Sequence, residues 1–145
     1  MTTTEILQKA DNIISHSHIG LLSTNDIHNN PSSRWMVPTF LLNKPGYLYC
    51  LTGEDFRKVR DIDSNPYVSW LIQKNTMDEI IRFFGTAHIK KNTELLHKLV
   101  RLLDTDLEVF WKLHPDKNNL VAIETNIQRL EYFLPFEGKR EEFEM

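Results

Sequence analysis

The chain has 145 residues, 41% of them hydrophobic and 26% charged, the make-up of one ordinary folded domain, long enough to bury about 70% of the unfolded chain's surface without metal or disulfide staples. Seventeen basic residues against twenty acidic ones leave a formal charge of −3, so the overall field repels a phosphate polymer and nucleic acid is not expected as a partner, whereas a single bound anion needs only a few local donors. Cys50 stands alone, which excludes an intramolecular disulfide, fits a reducing cytoplasm and leaves a buried, inert thiol as the expectation; with no run of 18 apolar residues and no basic start before an apolar block, neither a membrane span nor a signal peptide is expected.

Thr2 and Glu5 stand at capping-box spacing, and Ile6, Leu7, Ala10, Ile13 and Ile14 recur at helical intervals, predicting an amphipathic helix over 1–16. The period then changes. "HIGLLST", "RWMVPTFLL" and "YLYCLT" are short apolar or alternating runs separated by the turn compositions "NDIHNNPS" and "NKPG", the pattern of an antiparallel meander. Asn29 and Asn30 tolerate positive φ, and Pro31 sets the exit of the first hairpin. After Thr52, the spacing of Phe56, Val59 and Ile62 predicts a short helix, ended by Pro66 because proline disfavours a helical Asn65.

"YVSWLIQ" and "EIIRFFGTAHIK" read as a second hairpin joined through "KNTMD". Asn92 is placed to cap a helical insert over 92–113, made of "TELLHKLVRLL" and a second helix over "LEVFWKL". "NLVAIE" and "IQRLEYFL" read as the last two strands, and 137–145 as a flexible tail. The expected fold is a single domain over 1–145, mainly β, a six- to seven-stranded antiparallel barrel, closed or partly split, with peripheral helices; closure hides strand edges, and a sandwich is the alternative.

Two features carry chemistry. A strand leaving through the Thr52-Gly53 corner into a helix presents backbone N–H groups that attract an anion. Arg57 and Lys58 fall in that helix's first turn, where a cation is unfavourable by about 0.3–1 kcal/mol unless something negative neutralises it. A bound phosphate would do so; Glu54 and Asp55 are the rival explanation, making the pair a surface cluster. Arg34 alternates with Met36, Pro38 and Phe40 on one strand face and needs a partner there, unless it snorkels at a barrel rim.

"RWMVPT", then "YLYCLTGEDFRKVRDIDSNPYVS", then "GTAHI" resemble in order and spacing the FMN-binding split-barrel family related to pyridoxamine 5′-phosphate oxidase, particularly its general stress protein subgroup; the resemblance runs over 19–89 and again in the C-terminal "FWKLHP", "LVAIE" and "LEYF". It implies a split β-barrel homodimer with two FMN molecules at the interface. Carried over by position, it implies that Arg34 and Lys58 hold the FMN phosphate with help from Arg57. Trp35, Met36 and Val37 would face the isoalloxazine, Leu51 and Thr52 would contact the flavin and its ribityl chain, and Trp111 would stack or cover the ring. Ile80 stands where the oxidases carry a flavin-contacting Gln, the chain ends soon after Phe133, and Pro38 removes one strand N–H. Oxidation of pyridoxamine phosphate is therefore not expected.

His16 and His18 alternate as on one strand face without a third ligand at metal-site spacing, so no metal is expected, and no phosphate-loop, dinucleotide or elbow-nucleophile motif occurs. The resulting expectation is a cytoplasmic FMN-dependent oxidoreductase working with a small electron donor and acceptor. The alternatives are a flavin-binding store or sensor without turnover, and a dimeric barrel for a deazaflavin or haem.

Overall fold

The computed structural model describes residues 1–108 and 119–145. Helix α1 (Thr3–Ser17) starts as the spacing predicts, Thr2 Oγ1 accepting the Glu5 N–H at 3.1 Å. It buries Ile6, Ala10, Ile13 and Ile14, each worth about 1–3 kcal/mol of transfer free energy. It ends where His18 turns left-handed at φ 61° and its N–H reaches the Ile14 carbonyl at 2.8 Å. His16 and His18 thus sit at a helix end, not on a strand face.

The strands follow: β1 (Gly20–Asn25), β2 (Pro31–Met36), β3 (Thr39–Phe40), β4 (Tyr47–Gly53), β5 (Tyr67–Gln73), β6 (Ile80–Lys90), β7 (Leu120–Leu134) and β8 (Lys139–Glu144), with α2 (Arg57–Ser64) after β4 and α3 (Thr93–Leu103) after β6. Asn29 takes φ 62° in the first hairpin, and Asn92 Oδ1 caps α3 through the Leu95 N–H at 3.0 Å. The second helix expected over "LEVFWKL" falls almost wholly outside the described residues.

All pairings are antiparallel, in the order β2-β1-β5-β6-β7-β4-β3 with β8 on β7. The single strand expected over "RWMVPTFLL" is two, at opposite ends of that order, because Pro38 cannot donate to a ladder. Only Val37 and Pro38 join them, so Met36 and Thr39 lie at most ~11 Å apart. A flat sheet of this width is incompatible with so short a joint, and the sheet curls into a half-barrel with its seam between β2 and β3.

Two further expectations fail. "NLVAIE" and "IQRLEYFL" belong to one 15-residue strand, β7, whose first half pairs with β4 and whose second half pairs with β8, while β6 runs along the other flank. The tail expected to be flexible supplies β8, whose Phe143 packs against the core. The described residues therefore hold eight strands, against the six or seven expected. The register of β6 on β7 slips between Phe84 and Gly85, skipping Gln128. There a Cβ on Gly85 would stand 2.0 Å from the Asn126 carbonyl oxygen, so only glycine lets the strands approach across the bulge.

The barrel core gathers Leu22, Leu48, Trp70, Ile72, Ile81 and Phe83 under α1; its largest side chain, Trp70, donates Nε1–H to Thr125 Oγ1 at 3.0 Å. A second cluster on the opposite face of β4 packs Tyr49 and Leu51 against Leu99 and Leu103 of α3. Being covered on both faces, β4 reads as a continuous apolar run. Glu79 ties α1 to the sheet, accepting from Lys9 at 3.1 Å, Lys74 at 2.6 Å and the Tyr132 hydroxyl at 2.5 Å. Among the described residues no helix is long and apolar enough to cross a membrane.

Candidate functional site

The barrel-side face of β2 and the end of β4 meet the start of α2 in a cationic recess. Strand alternation turns Ser32, Arg34 and Met36 inward and leaves Ser33 and Trp35 outside. Arg34 Nη1 donates to the Leu22 carbonyl at 3.2 Å and to Thr24 Oγ1 at 2.8 Å. Those two bonds fix the guanidinium on β1. Burial pulls the Arg34 pKa down, Asp61 opposes that, and Arg57 adds to it; all three groups are therefore within electrostatic reach of one another.

Lys58 comes to the recess from α2. Phe56, the residue at the helix N-cap, supplies no side-chain cap, and the first turn carries no acid. Glu54, one of the two acids that offered a rival explanation, is turned aside to Lys91. Lys58 Nζ instead donates to Thr52 Oγ1 at 3.1 Å and lies 4.5 Å from the Phe56 ring centre. Burial, reinforced by the Arg34 charge, drops its pKa to about 8, the response of an ammonium group held from water without a full counter-charge.

Arg57 is more exposed. Its Nη2 lies 3.8 Å from Asp26 Oδ2 and its Nε 3.6 Å from Asp61 Oδ2, both too long for hydrogen bonds. Asp26 is kept ionised by N–H donors from Asn30 and His28 and its pKa lies below the usual carboxylate range. Asp61 is buried, and its Oδ2 is the only buried side-chain polar atom among the described residues with no hydrogen-bond partner. Cys50, buried as expected, lies within electrostatic reach of both Arg34 and Lys58, yet burial pushes its thiol up to about 12. It is no nucleophile at neutral pH.

Of the residues singled out from the sequence, Arg34, Thr52, Arg57 and Lys58 come together here, and Met36 lies on the same face of β2 as Arg34, packed against the barrel core. The side chains of Trp35, 61% exposed, and Leu51, packed under α3, face away from the recess. Val37 packs with the α3 cluster, and Trp111 lies outside the described residues. Thr24 and Asp61 escaped the sequence reading. The four-residue step from Arg57 to Asp61 was its one visible trace, while Thr24 meets Arg34 only through the β1–β2 register.

Three cations around a corner between strand and helix suit a phosphate monoester, whose oxygens accept several charge-assisted bonds at once. The orphan Asp61 oxygen balances part of that charge without neutralising it.

Among curated proteins no sequence matches. Solved structures do. General stress protein 26 from Bacillus anthracis is 25% identical, covering 96% of this chain and 99% of that one with a TM-score of 0.72. A pyridoxamine 5′-phosphate oxidase-related, FMN-binding protein from Nostoc punctiforme is 10% identical over 98% of this chain and 94% of that one, with a TM-score of 0.64. A heme-binding protein from Mycobacterium smegmatis is 15% identical over 99% of this chain and 58% of that one, with a TM-score of 0.73. The last two share the fold. The pyridoxamine 5′-phosphate oxidase family profile matches residues 6–133, nearly the whole curled sheet, and the chain belongs to that family.

Proposed function

We propose that the protein is an FMN-dependent oxidoreductase acting as a homodimer. The observation that carries this reading is the meeting of Arg34, Arg57 and Lys58 at the end of β4. Bound FMN would supply the capacity to accept and release electrons. Arg34, already oriented by Thr24 and Leu22, would hold the phosphate together with Lys58 and with Arg57 drawn in from the rim. Thr52 would keep Lys58 aimed at it. The Trp35–Val37 backbone, at the seam between β2 and β3, is the stretch proposed to meet the ring, and the exposed Trp35 side chain the one to meet a second subunit. The substrates are a small electron donor and a small acceptor. The alternative is a flavin-storing or sensing role without turnover.

The test begins with the absorption spectrum and mass of whatever copurifies with the protein, followed by FMN titration of the stripped chain and light scattering. A yellow dimer is expected, with R34A and K58A each weakening FMN by about tenfold or more. Anaerobic bleaching by a nicotinamide donor identifies turnover, and its absence favours the store. A haem spectrum, or FMN affinity unchanged from wild type in both variants, overturns the assignment.

A further inference from the structure

A second polar cleft lies on the opposite face of β4 from the recess. Its volume is about 440 Å³, within the range of small-molecule sites. The floor is Tyr49 of β4 and Glu124 of β7; α3 and the turn between β3 and β4 form the walls. This face shares no side chain with the Arg34 and Lys58 recess.

The floor is unusual for a strand in mid-sheet. The Glu124 side chain is only 8% exposed, and a carboxylate so placed needs partners. Oε2 has them: the Tyr49 hydroxyl donates at 2.6 Å and Lys44 Nζ at 3.4 Å. Burial and the adjoining carboxylate raise the Tyr49 pKa, so the phenol stays a donor. Oε1 accepts no hydrogen bond from a described residue; its nearest cation, Lys90, stays 3.9 Å away. Glu124 lines the cleft, so this oxygen, held only by the long Lys90 ion pair among the described residues, keeps acceptor capacity for a ligand there.

The rim has the opposite character. Lys44, Lys90 and Lys98 surround the opening, and Lys98 reaches across it to Asn43 Oδ1 at 3.5 Å. The N-terminal turn of α3 opens on the same space through Asn92 and Glu94, adding the positive end of a helix dipole. Against three lysines stand two carboxylates, Glu94 and Glu124, leaving one positive charge unbalanced. A complementary ligand carries a donor for the floor, acids for the rim, and one net negative charge.

We infer that this cleft binds a small amino acid bearing a second acid group, its ammonium on Glu124 Oε1 and its acids on the lysine rim. The site is independent of the proposed FMN site, and its test does not need bound flavin. The full-length protein is titrated calorimetrically with L-glutamate, L-aspartate and O-phospho-L-serine, and with glutarate, which has the acids but no amine. Saturable one-to-one binding of at least one amino diacid is expected, with glutarate weaker. Glu124→Gln, which keeps the acceptor for Tyr49, should weaken the amino diacid by about tenfold or more and leave glutarate unchanged, whereas K98M on the exposed rim should weaken both. If Glu124→Gln does not fold, K44M joins K98M in carrying the test. Failure of all three amino diacids to bind, unchanged affinity in Glu124→Gln, or unchanged affinity in both rim variants overturns the inference.

Discussion

Lys58 offers a sharp test of the recess, because its ionisation is already strained in the ligand-free chain. Its pKa of about 8 stands against an ordinary value of 10.5. A phosphate monoester is doubly charged above about pH 6 and favours the charged ammonium, so binding must raise that pKa. Affinity then falls with rising pH, by up to about tenfold per unit, wherever free Lys58 is neutral and bound Lys58 is not. FMN binding should be nearly flat between about pH 6.5 and 7 and about tenfold weaker at pH 9 than at pH 7. Flavin fluorescence titrations at pH 7, 8 and 9 measure this directly, with riboflavin as the phosphate-free control that should show no such slope. K58M should remove the slope and weaken FMN at pH 7 by about tenfold or more. Folding responds with the opposite sign to binding. The unfolded chain holds this proton more tightly than the folded one, so ligand-free stability should rise between pH 8 and 10.5. Below pH 8 the full penalty remains, of order 1–2 kcal/mol after allowance for partial exposure, and K58M should relieve it. A slope equal in wild type and K58M, or present with riboflavin, refutes Lys58 as the phosphate ligand.

Three other predictions rest on single contacts. The Glu79 carboxyl, pushed up by burial but pulled down further by hydrogen bonds from Lys74, Tyr132 and Lys9, has a pKa of about 2 against 4.5; its stabilisation, of order 1–2 kcal/mol after allowance for solvent screening, is complete above pH 4.5 and lost as pH falls through 2. Urea unfolding of Glu79→Gln should show most of that loss at pH 7 and a flatter acid limb between pH 4.5 and 2. Gly85→Ala drives a Cβ into the Asn126 carbonyl oxygen, and the forced separation of β6 from β7 should cost about 1–3 kcal/mol, read as a lowered melting temperature. Asp61→Asn, which removes the carboxylate beside Arg57, should change the ratio of FMN to riboflavin affinity; an unchanged ratio with lowered stability would assign Asp61 to folding alone.

The helices were legible because their signals are local: Thr2 with Glu5, Asn92 before its apolar run, Pro66 after Asn65. The second hairpin was legible for the same reason, its two runs standing either side of five polar residues. Where pairing is distant, sequence said less. Thr125 and Asn126 look like a gap between strands, and only the β5 partner Trp70, whose indole bonds Thr125, makes a buried threonine sensible there. The charged run of β8 resembles a solvated tail, yet edge strands carry such charge as a guard against further pairing. At the recess, Arg34, Arg57 and Lys58 stood out as cations in costly places. Their companions Thr24 and Asp61 did not, since one depends on strand register and the other looks like any helix acid.

The two-residue joint between β2 and β3 sets a limit on how this molecule breathes. Val37 is packed beneath α3 and Pro38 has a restricted φ, so the lips of the seam are stitched at one end and free to part only toward the other. Arg34 stands three residues from the stitch, so a ligand bound in the proposed site would meet that corner as a fixed wall. Slackening it with a pair of inserted glycines would leave every ladder in place and let the mouth lose its shape.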